Sequence, residues 1–144
     1  MFKKIAIVYD EAPEAGRALA SAIHLAKILG SELEVVTVMQ ELPAYTAFAA
    51  AVDCSLEQTL RDDRSQHYEQ LQAEAVETAR CGGVAATAHL LEDEGAAALL
   101  DLLEQERPDL LVVGLHRRTS HLSRLWDTVF ELAQDAPCSV LGVH

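Results

Sequence analysis

Two alternating hydrophobic patterns constrain the fold of this chain more than any other feature. Short apolar runs that are typical of buried strands recur five times, and stretches with apolar residues at three- and four-residue spacing separate them. The predicted strands cover residues 5–9, 33–39, 84–91, 110–114 and 138–143, and the predicted helices begin near Pro13, Ser55, Ala96 and Leu122. Five strands alternating with four helices predict a parallel α/β sheet covered on both faces, within the single domain that 144 residues suit.

Local signals mark the ends of two predicted helices. Pro13 suits a first helical turn, where no N–H group is needed, and Gly30 ends the same helix. Ser55 followed three residues later by Gln58 predicts a capping box at the start of a long helix that runs to about Arg80. Residues 42–53, between the second strand and that helix, form an apolar loop without a clear period.

Composition and charge exclude several classes of partner and location. The net charge of −12 argues against binding to nucleic acid or anionic membranes, because phosphate contacts need clustered lysine and arginine. No apolar run approaches the roughly 20 residues that span a bilayer. The pattern at the N-terminus predicts a strand rather than a signal peptide. The three cysteines are widely spaced and odd in number, which favours reduced thiols. We therefore expect a cytoplasmic protein.

Ligands of open parallel sheets bind at the carboxyl ends of the strands, which the residues Asp10, Met39, Glu92 and Gly114 mark here. At Gly114 we expect a sharp backbone turn and the close approach of a ligand. The loop after Asp10 lacks both the dinucleotide-binding and the P-loop glycine patterns. The acidic run 92–94 is interpreted as a solvated surface rather than a metal site.

No group of residues predicts catalysis. The chain has no G-x-S-x-G motif, and the spacing of Ser120 and Ser123 is typical of helix capping. His24 and His89 are interpreted as isolated structural histidines, because neither has a ligand-like neighbour in the sequence. We expect no catalytic residue, no metal ligand and no enzymatic activity.

Three segments stand out: the first strand ending in aspartate (IAIVYD), the fourth strand (DLLVVG) and the last segment (APCSVLGV). On these segments the chain resembles the universal stress protein family over essentially its whole length, residues 1–144. The resemblance implies a Rossmann-like sheet of strand order 3-2-1-4-5, which places Asp10 and Gly114 beside one crevice. It also implies a homodimer formed along the fifth strand.

The family divides into members that bind ATP and members that do not. ATP-binding members resemble a pattern of glycine, two residues, glycine, nine residues, glycine, then serine or threonine. Here Gly114 matches the first position and Thr128, followed by Val129, matches the last, whereas Arg117 and Asp127 replace the other two glycines. The resemblance further implies that Asp10 lies near the adenosine and that the backbone of Val38 faces the adenine. ATP is therefore the one candidate cofactor, although we expect no bound cofactor.

Three functional hypotheses remain open at this point. The leading one is a dimeric stress-response protein that acts through protein partners, still unknown, and binds ATP weakly or not at all. The second is an ATP-binding regulatory module in which Arg117 and Arg118 replace the contacts of the glycine loop. An ATP hydrolase has the least support, because the sequence shows no general base and no phosphate-binding lysine.

Overall fold

A computed structural model describes residues 1–39, 51, 54–92, 96–115 and 132–144 of the chain. Within these ranges the elements follow the order β1 (Lys4–Val8), α1 (Pro13–Leu29), β2 (Glu32–Val38), α2 (Cys54–Cys81), β3 (Ala86–Leu91), α3 (Ala96–Glu106), β4 (Leu110–Gly114) and β5 (Ser139–Val143). Residues 132–135 are also helical. No helix in the described ranges combines the length and apolar character needed to cross a bilayer.

The five strands form one parallel sheet of order β3-β2-β1-β4-β5. The central strand β1 pairs with β2 on one side and β4 on the other, so that Ile5 lies between Leu33 and Leu110. This arrangement confirms the predicted α/β fold and strand order. It also brings the carboxyl ends of β2, β1 and β4 side by side.

Each face of the sheet buries its own apolar cluster. On one face, Ile5, Ile7, Val35 and Val112 pack against a row of alanines in α1 and the C-terminal half of α2. The small alanine side chains allow the helices to approach the sheet closely. On the other face, strand residues such as Val36 and Leu111 pack against α3 and the helical residues 132–135. The apolar run of every central strand is explained by this burial on both faces.

The boundaries of the elements correct the sequence-based prediction at several places. Helix α1 begins at Pro13 and ends at Gly30, whose φ of 68° lies in the left-handed region that favours glycine, as predicted. The predicted capping box is wrong: Cys54 is already helical, and the Gln58 amide donates to Asp62 Oδ1 at 3.1 Å.

Small shifts at the strand ends have a common cause, because a strand extends only as far as its ladder partner. Strands β1 and β2 begin one residue earlier than predicted, at the pair Lys4 and Glu32. Strand β3 begins at Ala86 rather than residue 84, and β5 begins at Ser139 rather than residue 138. Apart from residue 51, the predicted loop 42–53 lies outside the described residues, as does the fourth predicted helix before Leu132.

Candidate functional site

Three of the predicted site residues meet at one edge of the sheet. The N–H of Tyr9 donates to Val36 O at 2.9 Å, which extends the pairing of β1 and β2 toward Asp10. Val38 ends β2, and Gly114 ends β4 on the other side of β1. The structure therefore places Asp10, Val38 and Gly114 on three neighbouring strands, at the carboxyl edge where α/β sheets bind ligands.

Asp10 closes the loop between β1 and α1. Its Oδ1 accepts a hydrogen bond from the N–H of Ala12 at 2.9 Å, directly before the helix begins at Pro13. This is the only hydrogen bond of the Asp10 carboxylate to the described residues. One carboxylate oxygen thus fixes the entry to α1, and the other makes no hydrogen bond to the part of the chain that the structure describes.

Gly114 is needed for packing. Its φ is not positive, so glycine is not required here for a left-handed backbone. The sharp turn expected from the sequence stays a prediction, because residues 116–131 lie outside the described residues. A Cβ atom at this position would lie 2.8 Å from Glu14 C, 2.9 Å from Glu14 O and 3.0 Å from Ala15 N. All three are backbone atoms in the first turn of α1, which cannot yield as a flexible side chain does. Glycine is required here because the backbone of α1 approaches it closely.

Helix α2 forms one side of this edge. Its 28 residues span about 42 Å, whereas the six residues of β3 span about 20 Å. Because the C-terminus of α2 turns directly into β3, the excess length extends past the carboxyl ends of the strands. In that extension, His67 contacts the Glu11 carboxylate, and the Arg64 guanidinium lies 5.9 Å from the centre of the Tyr68 ring. The sequence analysis did not predict that α2 extends along this edge of the sheet.

Two buried groups near the crevice are also new. Burial, together with the negative charges of Glu74 and Asp10, raises the pKa of Tyr9. Thr37, next to Val38, is fully buried, and its hydroxyl makes no hydrogen bond to any described residue. A buried hydroxyl without a partner is costly, so Thr37 weakens this end of β2.

The phosphate-binding half of the pattern is not described by the structure. Arg117, Thr128 and Val129 lie outside the described residues, as does Asp127. The expectations for these four positions therefore remain predictions from the sequence.

His89 is not isolated, contrary to the sequence analysis. It lies on β3 with its Nε2 atom 3.7 Å from Oε1 of Glu34, and Lys4 joins Glu34 to Glu106 by two ion pairs. The prediction failed because these residues are far apart in sequence and become neighbours only through the strand order. The one available signal was the acidic Glu34 inside the apolar strand LEVVTV.

Comparison with known proteins decides the family. The model of the universal stress protein family matches residues 1–144. This chain belongs to that family. The solved structure of a universal stress protein from Burkholderia pseudomallei shares 25% identity over 98% of this chain and 95% of that chain, with a TM-score of 0.72. No curated protein sequence matched.

Two further universal stress proteins are similar in fold at lower identity. UspA from Lactobacillus plantarum has a TM-score of 0.77 and 17% identity over 99% of this chain and 98% of that chain. A universal stress protein from Archaeoglobus fulgidus, solved in complex with dAMP, has a TM-score of 0.71 and 16% identity over 99% of this chain and 98% of that chain. The present universal stress protein keeps their fold, while its own site must be judged from its own residues.

Proposed function

We propose that this universal stress protein is a cytoplasmic regulatory module that acts through protein partners and binds adenine nucleotides weakly or not at all. The observation that carries the proposal is the contrast between the two halves of the crevice. Asp10 and Val38, which the family resemblance assigns to adenosine, lie at the same edge of the sheet as Gly114, the first glycine of the ATP-binding pattern. Arg117 and Asp127 occupy positions where ATP-binding members have glycine.

Electrostatics makes Asp127 the critical difference. Two unit charges about 4 Å apart repel by roughly 1 kcal/mol in water and about 4 kcal/mol at an effective dielectric of 20. This repulsion corresponds to a loss of roughly five- to a thousand-fold in affinity. The penalty grows with the number of phosphates, so we expect ATP to lose more affinity than AMP. The Archaeoglobus fulgidus relative was solved with dAMP, which has a single phosphate.

Calorimetric titration with Mg-ATP and with AMP tests the proposal, after any nucleotide carried through purification has been measured. We expect weak or undetectable binding of ATP, and AMP binding at least as tight. Asp127→Asn should gain ATP affinity by at least about five-fold, because it removes the repelling charge. The matched control is Asp101→Asn, which removes an exposed charge on α3 and should change nothing. Micromolar ATP binding by the unmodified protein would contradict the proposal.

Arginine substitutions separate this function from the alternative, an ATP-binding regulatory module. If Arg117 replaces the contacts of the glycine loop, Arg117→Gly should lose ATP affinity. Under our proposal, Arg117→Gly combined with Asp127→Gly should gain affinity, because the pattern of ATP-binding members is restored. No gain in a folded double variant would refute the electrostatic explanation.

Catalysis has no place in this proposal. Phosphate release from ATP above a buffer control, lost in Asp10→Asn, would instead support the hydrolase hypothesis.

The free edge of β5 supports the homodimer that belongs to the proposal. In the described sheet β5 pairs only with β4, and Val140, Leu141 and Val143 remain partly exposed along it. An apolar edge strand invites pairing with a second copy of the chain. Sedimentation analysis should give a dimer mass, which Ser139→Lys on this edge should lower toward a monomer. Ala88→Lys places the same charge on the opposite edge strand, β3, and should leave the dimer intact.

A further inference from the structure

A polar cluster lies on the sheet face that packs against α3, away from the nucleotide crevice. Glu34 belongs to the interior strand β2, and only 6% of its side chain is exposed. Lys4 comes from β1, His89 from β3, and Glu106 is the last residue of α3. Lys4 Nζ lies 2.8 Å from Glu34 Oε1 and 2.9 Å from Glu106 Oε2. The strand order alone brings these four residues together.

The cluster contains two carboxylates and a single permanent cation. The hydrogen bonds of Lys4 with Glu106 and Glu34 raise the pKa of the Lys4 ammonium, and the Lys4 hydrogen bond lowers the pKa of Glu106. With His89 neutral, the four side chains carry a net charge of −1 around the buried Glu34. A buried negative charge favours any additional cation that can reach it.

The environment of the His89 ring distinguishes this cluster from a simple ion-pair network. The Nε2 atom of His89 is shielded from solvent and makes no hydrogen bond within the described ranges, yet it lies 3.7 Å from Glu34 Oε1. A buried imidazole nitrogen without a hydrogen bond costs free energy. In the neutral imidazole that nitrogen carries a lone pair that can bind a metal ion, and a histidine nitrogen is the commonest protein ligand of zinc and related ions.

We propose that Glu34, His89 and Glu106 form a binding site for a divalent transition-metal ion such as Zn²⁺, and that the Lys4 ammonium is the cation that this ion displaces. Two carboxylates with one histidine neutralise a divalent ion and match the mixed nitrogen and oxygen ligands that zinc accepts. Three protein ligands leave a fourth position for water.

The distances allow binding after small side-chain movements. The three ligand atoms all lie within 4.8 Å of one another. A tetrahedral zinc ion with bonds of about 2.0–2.1 Å sets neighbouring ligand atoms about 3.4 Å apart. Glu34 and His89 are therefore nearly in place, and Glu106 can move because about a third of its side chain is exposed. The Lys4 side chain is about a quarter exposed, so its ammonium can swing into solvent.

Zinc titration by calorimetry tests the site in the whole protein. Lys4→Met should tighten zinc binding by at least about ten-fold, since the competing ammonium is gone, and zinc should raise its melting temperature more than that of the unmodified protein. His89→Gln should weaken binding by at least about ten-fold, because the nitrogen ligand is lost. His24→Gln removes an exposed histidine of α1 and His67→Gln removes the histidine beside Glu11, so neither should change the affinity.

Three results would overturn the assignment. The first is equal zinc affinity in His89→Gln and in the unmodified protein, a comparison that stays informative even if Lys4→Met fails to fold. The second is a folded Lys4→Met variant that binds zinc no more tightly. The third is a thiolate charge-transfer band in the spectrum of the Co²⁺-loaded protein, which would place the ion on cysteine. None of these results depends on the nucleotide crevice, so they leave the proposed function untouched.

Discussion

Gly114→Ala should destabilise the protein before any nucleotide is involved. The added Cβ would lie 2.8–3.0 Å from three backbone atoms of Glu14 and Ala15, whereas non-bonded carbon atoms prefer about 3.5–4.0 Å. Either the tip of β4 or the first turn of α1 must therefore move by more than half an ångström. Overpacking of this kind typically costs about 1–3 kcal/mol of folding free energy. For a domain of this size, we expect the melting temperature to fall by about 3–12 °C.

Gly16→Ala provides a matched control on the same helix. A Cβ at Gly16 would meet no atom within 4 Å, and the position is exposed in the interior of α1. Alanine favours a helix by about 0.5–1 kcal/mol over glycine, so Gly16→Ala should raise the melting temperature slightly. Thermal denaturation of both variants without nucleotide measures the difference. Equal melting temperatures of Gly114→Ala and the unmodified protein would refute the packing explanation and restore a purely ligand-related role for Gly114.

Three further predictions concern buried and charged groups. Thr37→Val removes a fully buried hydroxyl that makes no hydrogen bond to the described residues. It should therefore raise the melting temperature by a few degrees, corresponding to about 1 kcal/mol. The same change at the exposed Thr87 should have little effect. In urea denaturation, Lys4→Met should lower the unfolding free energy by about 2–4 kcal/mol, since it leaves the buried Glu34 carboxylate unpaired, and adding Glu34→Val should recover most of that loss. Two backbone N–H groups at the start of β1 hold the pKa of Asp109 below its usual value. The stability that this carboxylate contributes is therefore present near neutral pH and lost as the pH falls through its lowered pKa, so the difference in melting temperature between the protein and Asp109→Asn should shrink below about pH 4.

The fold was predictable because its determinants are local. The central strands are short and largely apolar, although β2 also contains Glu34 and Thr37. Helix α1 combines regularly spaced apolar residues with recognisable ends at Pro13 and Gly30. The strand order was not predictable from these patterns alone, because it depends on crossovers between distant segments. It came instead from the family resemblance, and the sheet confirms it.

The candidate site was predictable only in part, for a related reason. Asp10 and Gly114 could be located because a strand end is visible in the sequence, and strand ends meet at one edge of the sheet. The polar cluster could not be located, because Lys4, Glu34 and His89 come from three strands and Glu106 from a helix. The sequence also could not predict that the Thr37 hydroxyl lacks a hydrogen bond to the described residues, because a threonine in a strand usually forms one.

The packing around α1 gives Asp10 and Gly114 a structural role, which changes how far they support nucleotide binding. The Asp10 carboxylate fixes the loop before α1, and Gly114 accommodates the backbone of its first turn. Both residues therefore have a structural role that does not depend on a nucleotide, so their presence is weak support for ATP binding. The substitutions at residues 117 and 127 bear more directly on ligand binding, because they change the charge at positions that the family pattern assigns to phosphate contact. A protein that had lost its need for ATP would keep Asp10 and Gly114 for stability and would change at these two positions first.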